Sequence, residues 1–263
     1  MASTGTLPPD LFDQTTLLSL AATVAIALAG VLLARVVLPN STPTPKRFLF
    51  IWHAADALCH TILEGSFLYQ CFFSSVAVSS LPEGTATSYF PTPYNFLGTG
   101  DERVFGAQVG EGPFAALWMV YARADKRWAG VDLGVVSLEL LTVFLDTALA
   151  LAVCYCLAKR NPLANVWMII LATCELYGGM CPRPKPPFPE LGRSIDRGLG
   201  FMTFCPEWLV GNINLDTSNF MYKWVYLVFF NMVWVFVPLY AIAHSIGEIS
   251  GAFKAQSAKS KLR

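Results

Sequence analysis

The chain has 263 residues, of which 54% are hydrophobic and 14% charged, and its 18 basic and 18 acidic side chains cancel. Soluble domains carry about a quarter charged residues, so this balance excludes an ordinary soluble fold. A net charge of zero gives nucleic acid nothing to hold, and what remains is a polytopic membrane protein.

Residues 1–14 are short, polar and Pro-containing, and are expected to be disordered. TTLLSLAATVAIALAGVLLARVV, within about 15–38, is long enough to cross a bilayer. It lacks a basic leading region and a small-residue cleavage site, so it reads as a retained first span and not a signal peptide. The turn LPNSTPTPKR follows, and a second span covers about 48–78.

The second span contains WHAADALCHTILEGSFLY, an apolar run interrupted by His53, Asp56, His60 and Glu64. Residues four apart in a helix lie one above the other, which puts Asp56, His60 and Glu64 on a single stripe. Ionisable groups at bilayer depth are costly and rare, so this stripe is a site candidate. The plainer alternative is a helix end among headgroups, but Glu64 is followed by more apolar sequence.

Residues 79–113 are rich in Gly, Pro, Ser and Thr without periodicity and read as a long loop. FAALWMVYARADKRW then reads as a partly buried segment. A third span, about 130–158, carries Glu139, Thr142 and Asp146 at i, i+3 and i+7, again one helical face. After KRNP, a fourth span covers about 163–180 and ends in CELYGGM, followed by a second long loop at about 181–221. The fifth span, about 222–247, has Asn231, Trp234 and Pro238 at i, i+3 and i+7, and residues 251–263 form a basic tail. The expected fold is all-α, a five-helix membrane bundle with a cavity inside it.

Short basic segments (Arg35, Lys46, Arg47; Lys159, Arg160; the tail) alternate with long loops that hold most of the acids, which assigns the C-terminus to the cytosol. The ending KSKLR has the lysine spacing of a receptor-read signal for retrieval to the endoplasmic reticulum. On this topology the Asn40-Ser-Thr sequon lies on the cytosolic side and stays unused. Cys59, Cys71, Cys154, Cys156 and Cys174 sit in apolar runs as small hydrophobes, with no metal-ligand spacing. Cys181 and Cys205 share one extramembrane segment and could pair in an oxidising lumen.

His60 with Glu64, Glu139 with Thr142, and Asn231 with Trp234 are inward-facing sets on three spans. Together they define a chamber walled by Tyr121, Trp128, Tyr177, Phe229 and Trp234. Such a chamber suits a largely apolar lipid that enters from the bilayer. A carboxyl there can donate a proton, the imidazole can relay one, and an indole face can stabilise a developing cation. Asp56 and Asp146 could instead satisfy a neighbouring hydroxyl or His53, Glu175 could reach the interface, and His244 suits a helix-terminal role.

The segments HTILEGSF, LWMVYARADKRW, DLGVVSLELLT, ELYGG and YLVFFNMVWVFVP resemble, in order and spacing, the emopamil-binding protein family with its EXPERA domain. The resemblance covers about residues 48–250. It implies a sterol 8,7-isomerase-like activity, in which an acid protonates a ring alkene and a base removes a neighbouring proton from the carbocation. By this likeness His60, Glu64 and Glu139 match the acid/base residues, Thr142 and Asn231 polar supports, and Trp234 the cation-facing aromatic. Tyr121 and Asp132 match further pocket positions, while Trp128 stands where the isomerases carry tyrosine. The chain departs from the family at Ser66, where an aromatic is expected. It departs again at Glu175, Tyr177, Gly178 and Gly179, where the isomerases read Gln-x-Tyr-Gly-Asp, and at the added acids Asp56 and Asp146.

Three functions follow as expectations. The first is a double-bond-shifting isomerase of a sterol or sterol-like lipid. The second is a proton-initiated cyclase of a terpenoid or prenylated substrate, and the third a lipid-binding protein without turnover. The proposed chemistry is redox-neutral and calls for no cofactor and no metal, and aromatic span faces permit a homodimer.

Overall fold

The computed structural model describes residues 13–177, 207 and 211–261. The expected disordered start, most of the second long loop and the pair Cys181 and Cys205 lie outside the described residues. Each expected span corresponds to a helical run. Helix α1 is Gln14–Val37. Helix α2 (Thr44–Leu58) continues through a π-helical turn, Cys59–Glu64, into α3 (Gly65–Phe73). A short antiparallel ribbon of β1 (Ser75–Ala77) and β2 (Arg103–Phe105) and then α4 (Gly112–Tyr121) separate it from the next run. There α5 (Leu133–Leu141) passes through a second π turn, Thr142–Asp146, into α6 (Thr147–Ala158). Helix α7 is Leu163–Tyr177, and a third π segment, Met221–Phe229, leads into α8 (Phe230–Lys261).

Three of these runs, Gln14–Val37, Leu133–Ala158 and Met221–Lys261, are long and apolar enough to cross a membrane. Leu18, Val24, Leu28 and Leu32 on α1, and Phe144, Leu151 and Tyr155 along α5–α6, are exposed, as a lipid-facing surface requires. Helix starts follow local chemistry. Asp132 accepts a hydrogen bond from the Val135 amide (3.0 Å) at the head of α5. Pro45 and Pro113 occupy first-turn positions of α2 and α4, where their missing N–H costs nothing.

Helix α1 packs on α2, α2 on α6, α6 on α7, and α7 on α8. At the α1–α2 crossing a Cβ on Gly30 would stand 2.8 Å from the Ile51 carbonyl oxygen, so only glycine lets the two backbones approach this closely. At one end of the bundle Leu49, Val153, Met168, Ala172 and Ala241 form a fully buried core. At the other, Phe67, Trp118, Trp128 and Val131 pack under the ribbon. Helix α8 outruns the bundle, and every residue from Gly251 to Lys261 is exposed.

The stretch expected to be a long loop is held in place. Gln108 accepts from the Phe90 amide (2.8 Å) and donates to the Phe90 and Phe105 carbonyls (3.0 Å each). Gly106, at φ 106°, lies against Gly130 so closely that a Cβ would be 2.6 Å from its Cα. The order comes from side-chain bonds to backbone, which leave no periodicity in the sequence.

Candidate active site

The stripe on α2 and its π turn forms as the spacing predicts. His60 is buried, with Nδ1 2.6 Å from Glu64 Oε2 and Nε2 3.1 Å from Asp56 Oδ1, so each ring nitrogen faces a carboxylate. The Trp234 indole N–H donates to Asp56 Oδ1 at 2.9 Å. From the other side the Thr142 hydroxyl donates to Glu64 Oε2 at 2.6 Å, and Glu139 Oε2 lies 3.3 Å from the same hydroxyl. Trp234, Asp56, His60, Glu64, Thr142 and Glu139 therefore make one continuous polar line across three helical runs. Three of its members, His60, Glu64 and Thr142, lie in π turns and Trp234 follows the third such segment. The wider turn redirects side chains without breaking the helix, and π bulges recur at functional sites.

The line borders a cavity of about 220 Å³. His60, Glu64, Glu139, Thr142, Asp146, Glu175, Asn231 and Trp234 all line it, as do Tyr121 and Trp128. Asp56 is buried directly behind His60 and is 2% exposed. Trp118 and Trp128 stack at 4.9 Å and 7°, with Tyr121 edge-on to Trp128 at 5.3 Å, which gives one wall a broad π surface. Asn231 donates to the Tyr226 and Leu227 carbonyls (3.1 and 3.0 Å), satisfying acceptors that the third π segment leaves open. The same amide also lies 3.4 Å from the Tyr121 hydroxyl, so its support reaches both backbone and the aromatic wall.

Several expectations are corrected. Phe229 is 58% exposed and faces away, and Tyr226 and Phe230 line the chamber in its place because the π segment shifts the register. Asp132 is the cap of α5 and does not line the cavity. Glu175 does not reach outward: both of its oxygens are buried. Ser66 accepts the Trp118 indole N–H at 2.9 Å, a role the sequence did not suggest. Tyr177 ends α7, and its side chain lies outside what is described. His53 is fully buried, with neither ring nitrogen hydrogen-bonded.

Sequence reasoning missed α1. Ser19, Leu20 and Thr23 line the cavity, so the first helix is a wall of the chamber and not a separate anchor. The only signal was two hydroxyl residues spaced i, i+4 in an apolar run. The ligating atoms of Asp56, His60 and Glu175 lie within 4.8 Å of one another, close enough for a divalent cation, although His60 Nε2 already faces Asp56.

These observations define a helical membrane protein that encloses an acid-lined, aromatic-walled chamber. A family model described as EXPERA (EXPanded EBP superfamily) matches residues 113–190 and 198–245. The chain belongs to this superfamily, as its resemblance to the emopamil-binding protein family implies. The matched stretches take in Glu139, Thr142, Glu175, Asn231 and Trp234, while His60 and Glu64 precede them. A probable 3-beta-hydroxysteroid-Delta(8),Delta(7)-isomerase of Oryza sativa subsp. japonica is 24% identical, covering 82% of this chain and 73% of that protein. The 3-beta-hydroxysteroid-Delta(8),Delta(7)-isomerase of Cavia porcellus is 22% identical over 82% of this chain and 71% of its own length.

Proposed function

We propose that this protein is a membrane-embedded acid/base isomerase that protonates a C=C bond of a sterol or sterol-like lipid and shifts the double bond. The observation that carries the reading is the unbroken line from Trp234 to Glu139 along the wall of an aromatic-walled cavity. The named activity of the relatives supports the same chemistry.

The Thr142 hydroxyl has one proton and gives it to Glu64 over the shorter contact. The 3.3 Å approach of Glu139 Oε2 to the same oxygen is a hydrogen bond only when Glu139 carries a proton. Glu139 is then the acid. Its proton goes to one alkene carbon, the cation forms against the indole and phenol faces, and the Glu64 carboxylate takes a proton from the neighbouring carbon. The electron pair of that C–H bond becomes the new double bond. Thr142 lies between the two acids and returns the proton from Glu64 to Glu139. His60, held between Asp56 and Glu64, balances the charge on Glu64 as it cycles.

The test is expression in a host that lacks its own sterol 8,7-isomerase. Appearance of the shifted sterol supports the reading, and accumulation of the unshifted sterol with normal protein levels overturns it. A second reading has one observation in its favour: Asp146 and Glu175 add carboxyls to the chamber beyond those an isomerisation uses. The same cation captured by another alkene would give a cyclised terpenoid of unchanged mass. Incubation with a linear prenylated substrate separates the two by ring count. Location in the endoplasmic reticulum membrane with a cytosolic C-terminus, and a homodimeric state, complete the proposal. The first two rest on the lysine-bearing tail and on the distribution of basic residues.

A further inference from the structure

We infer that Asp146 and Glu175 form a recognition subsite for a hydroxyl group of the lipid, placed away from the reacting double bond. This rests on the isomerase reading and adds to it what holds the substrate's polar end. Asp146 is 4% exposed and lines the chamber, yet its Oδ1 has no hydrogen-bond partner. Glu175 reaches the same chamber from α7 with its carboxyl facing that of Asp56, and neither of its buried oxygens accepts from an N–H or hydroxyl donor. Behind them Asp56 Oδ2 likewise accepts from no N–H or hydroxyl donor, while its Oδ1 takes the Trp234 indole and lies 3.1 Å from His60 Nε2. Among the described residues no Lys or Arg lines the cavity.

Buried acceptors without donors are costly, and among the described residues no N–H or hydroxyl donor reaches these oxygens. An apolar skeleton packed against them would leave that cost in place. An alcohol removes it, because one O–H can donate to a carboxylate and accept from a protonated neighbour. The subsite lies on the Asp56 side of His60, whereas Glu64, Thr142 and Glu139 lie on the other. The lipid thus spans the imidazole, with its hydroxyl at the Asp146 and Glu175 end and its alkene at the Glu139 end. The ligand class is an elongated monohydroxy lipid with its alcohol separated from its alkene.

The test is a cycle between protein and ligand in detergent-solubilised full-length protein. A Δ8-sterol with its 3β-hydroxyl and the 3-deoxy counterpart are each titrated against the wild type and Glu175→Met. The wild type is expected to bind the alcohol about tenfold more tightly, the equivalent of one good hydrogen bond, and Glu175→Met to bring the two ligands to near equality. Glu175→Gln, which keeps a hydrogen-bonding group, is expected to retain most of the preference and serves where the methionine variant does not fold. Equal binding of both ligands by the wild type, or an unchanged preference in Glu175→Met, overturns the inference and leaves the isomerase reading standing. A wild type that binds neither ligand overturns both. In the glutamine variant, a preference for the alcohol raised above the wild-type value also counts against the subsite.

Discussion

Both ring nitrogens of His60 face carboxylates, Nδ1 at 2.6 Å from Glu64 and Nε2 at 3.1 Å from Asp56, and this shapes what each neighbour can do. With Asp56 on one side and Glu64 on the other, the ring bridges two carboxylates, and the proposed reaction takes Glu139 as its acid. Glu139→Gln keeps the shape and the contact to Thr142 but has no proton to give an alkene. Its rate of product formation is expected to fall by about 10²- to 10⁴-fold with unchanged folding, measured as sterol turnover in membranes with matched protein levels. These residues were legible in the sequence because helical spacing alone brings Asp56, His60 and Glu64 together, and Glu139 with Thr142. Ser66, Asp132 and the hydroxyls of α1 were not. Each acts through one contact to a residue distant in sequence or to a backbone amide, and no periodicity reports such a contact.

At the level of elements, the π turns explain why spacing predicted the site yet misplaced part of its wall. The stripe from Asp56 down to Glu64 forms even though His60 and Glu64 lie inside the first π turn. Beyond a π turn every side chain is rotated relative to an ideal helix, and Phe229 is turned out while Phe230 is turned in. The α1–α2 crossing is the element on which the newly recognised wall depends. Gly30→Leu adds a side chain where not even a Cβ fits against Ile51 and Ala55. Overpacking of this kind costs roughly 1–3 kcal/mol, and it should tilt α1 away from the chamber. The expected outcome is a lower melting temperature together with weaker lipid binding. A Gly247→Leu control, in open space on α8, should change neither.

Across the whole molecule, the described parts outside the membrane are tied to the bundle by a buried ionic knot. Arg127 grips Asp125 through two side-chain bonds (2.9 and 2.6 Å), with Glu207 at 3.7 Å, and an isolated β-bridge joins Asp125 to Leu215 ahead of the third π segment. Arg127→Ala leaves Asp125 buried and uncompensated, which is expected to cost about 3–5 kcal/mol of stability in thermal or denaturant unfolding. A milder pH effect belongs to Asp216 in the same segment. Hydrogen bonds from the Ser218 side chain and amide hold its carboxyl below the ordinary range. A depressed acid stabilises the fold above its unfolded value near about 3.9, and that contribution is lost as pH falls through the lower folded value. Because the group is largely solvated the effect is small. It is best read as faster exchange of the Ser218 amide in acid, absent in Asp216→Asn. None of this knot was visible in the sequence, where FAALWMVYARADKRW reads only as a partly buried segment. Finally, α8 carries Trp234 near one end and a fully exposed run, Gly251–Lys261, at the other, joined by continuous helix with Pro238 packed between them. At 1.5 Å per residue the projecting end lies roughly 40 Å from that indole. One unbroken rod thus joins the chamber to the surface, so a partner docked on the far end would sit at a fixed reach from the indole.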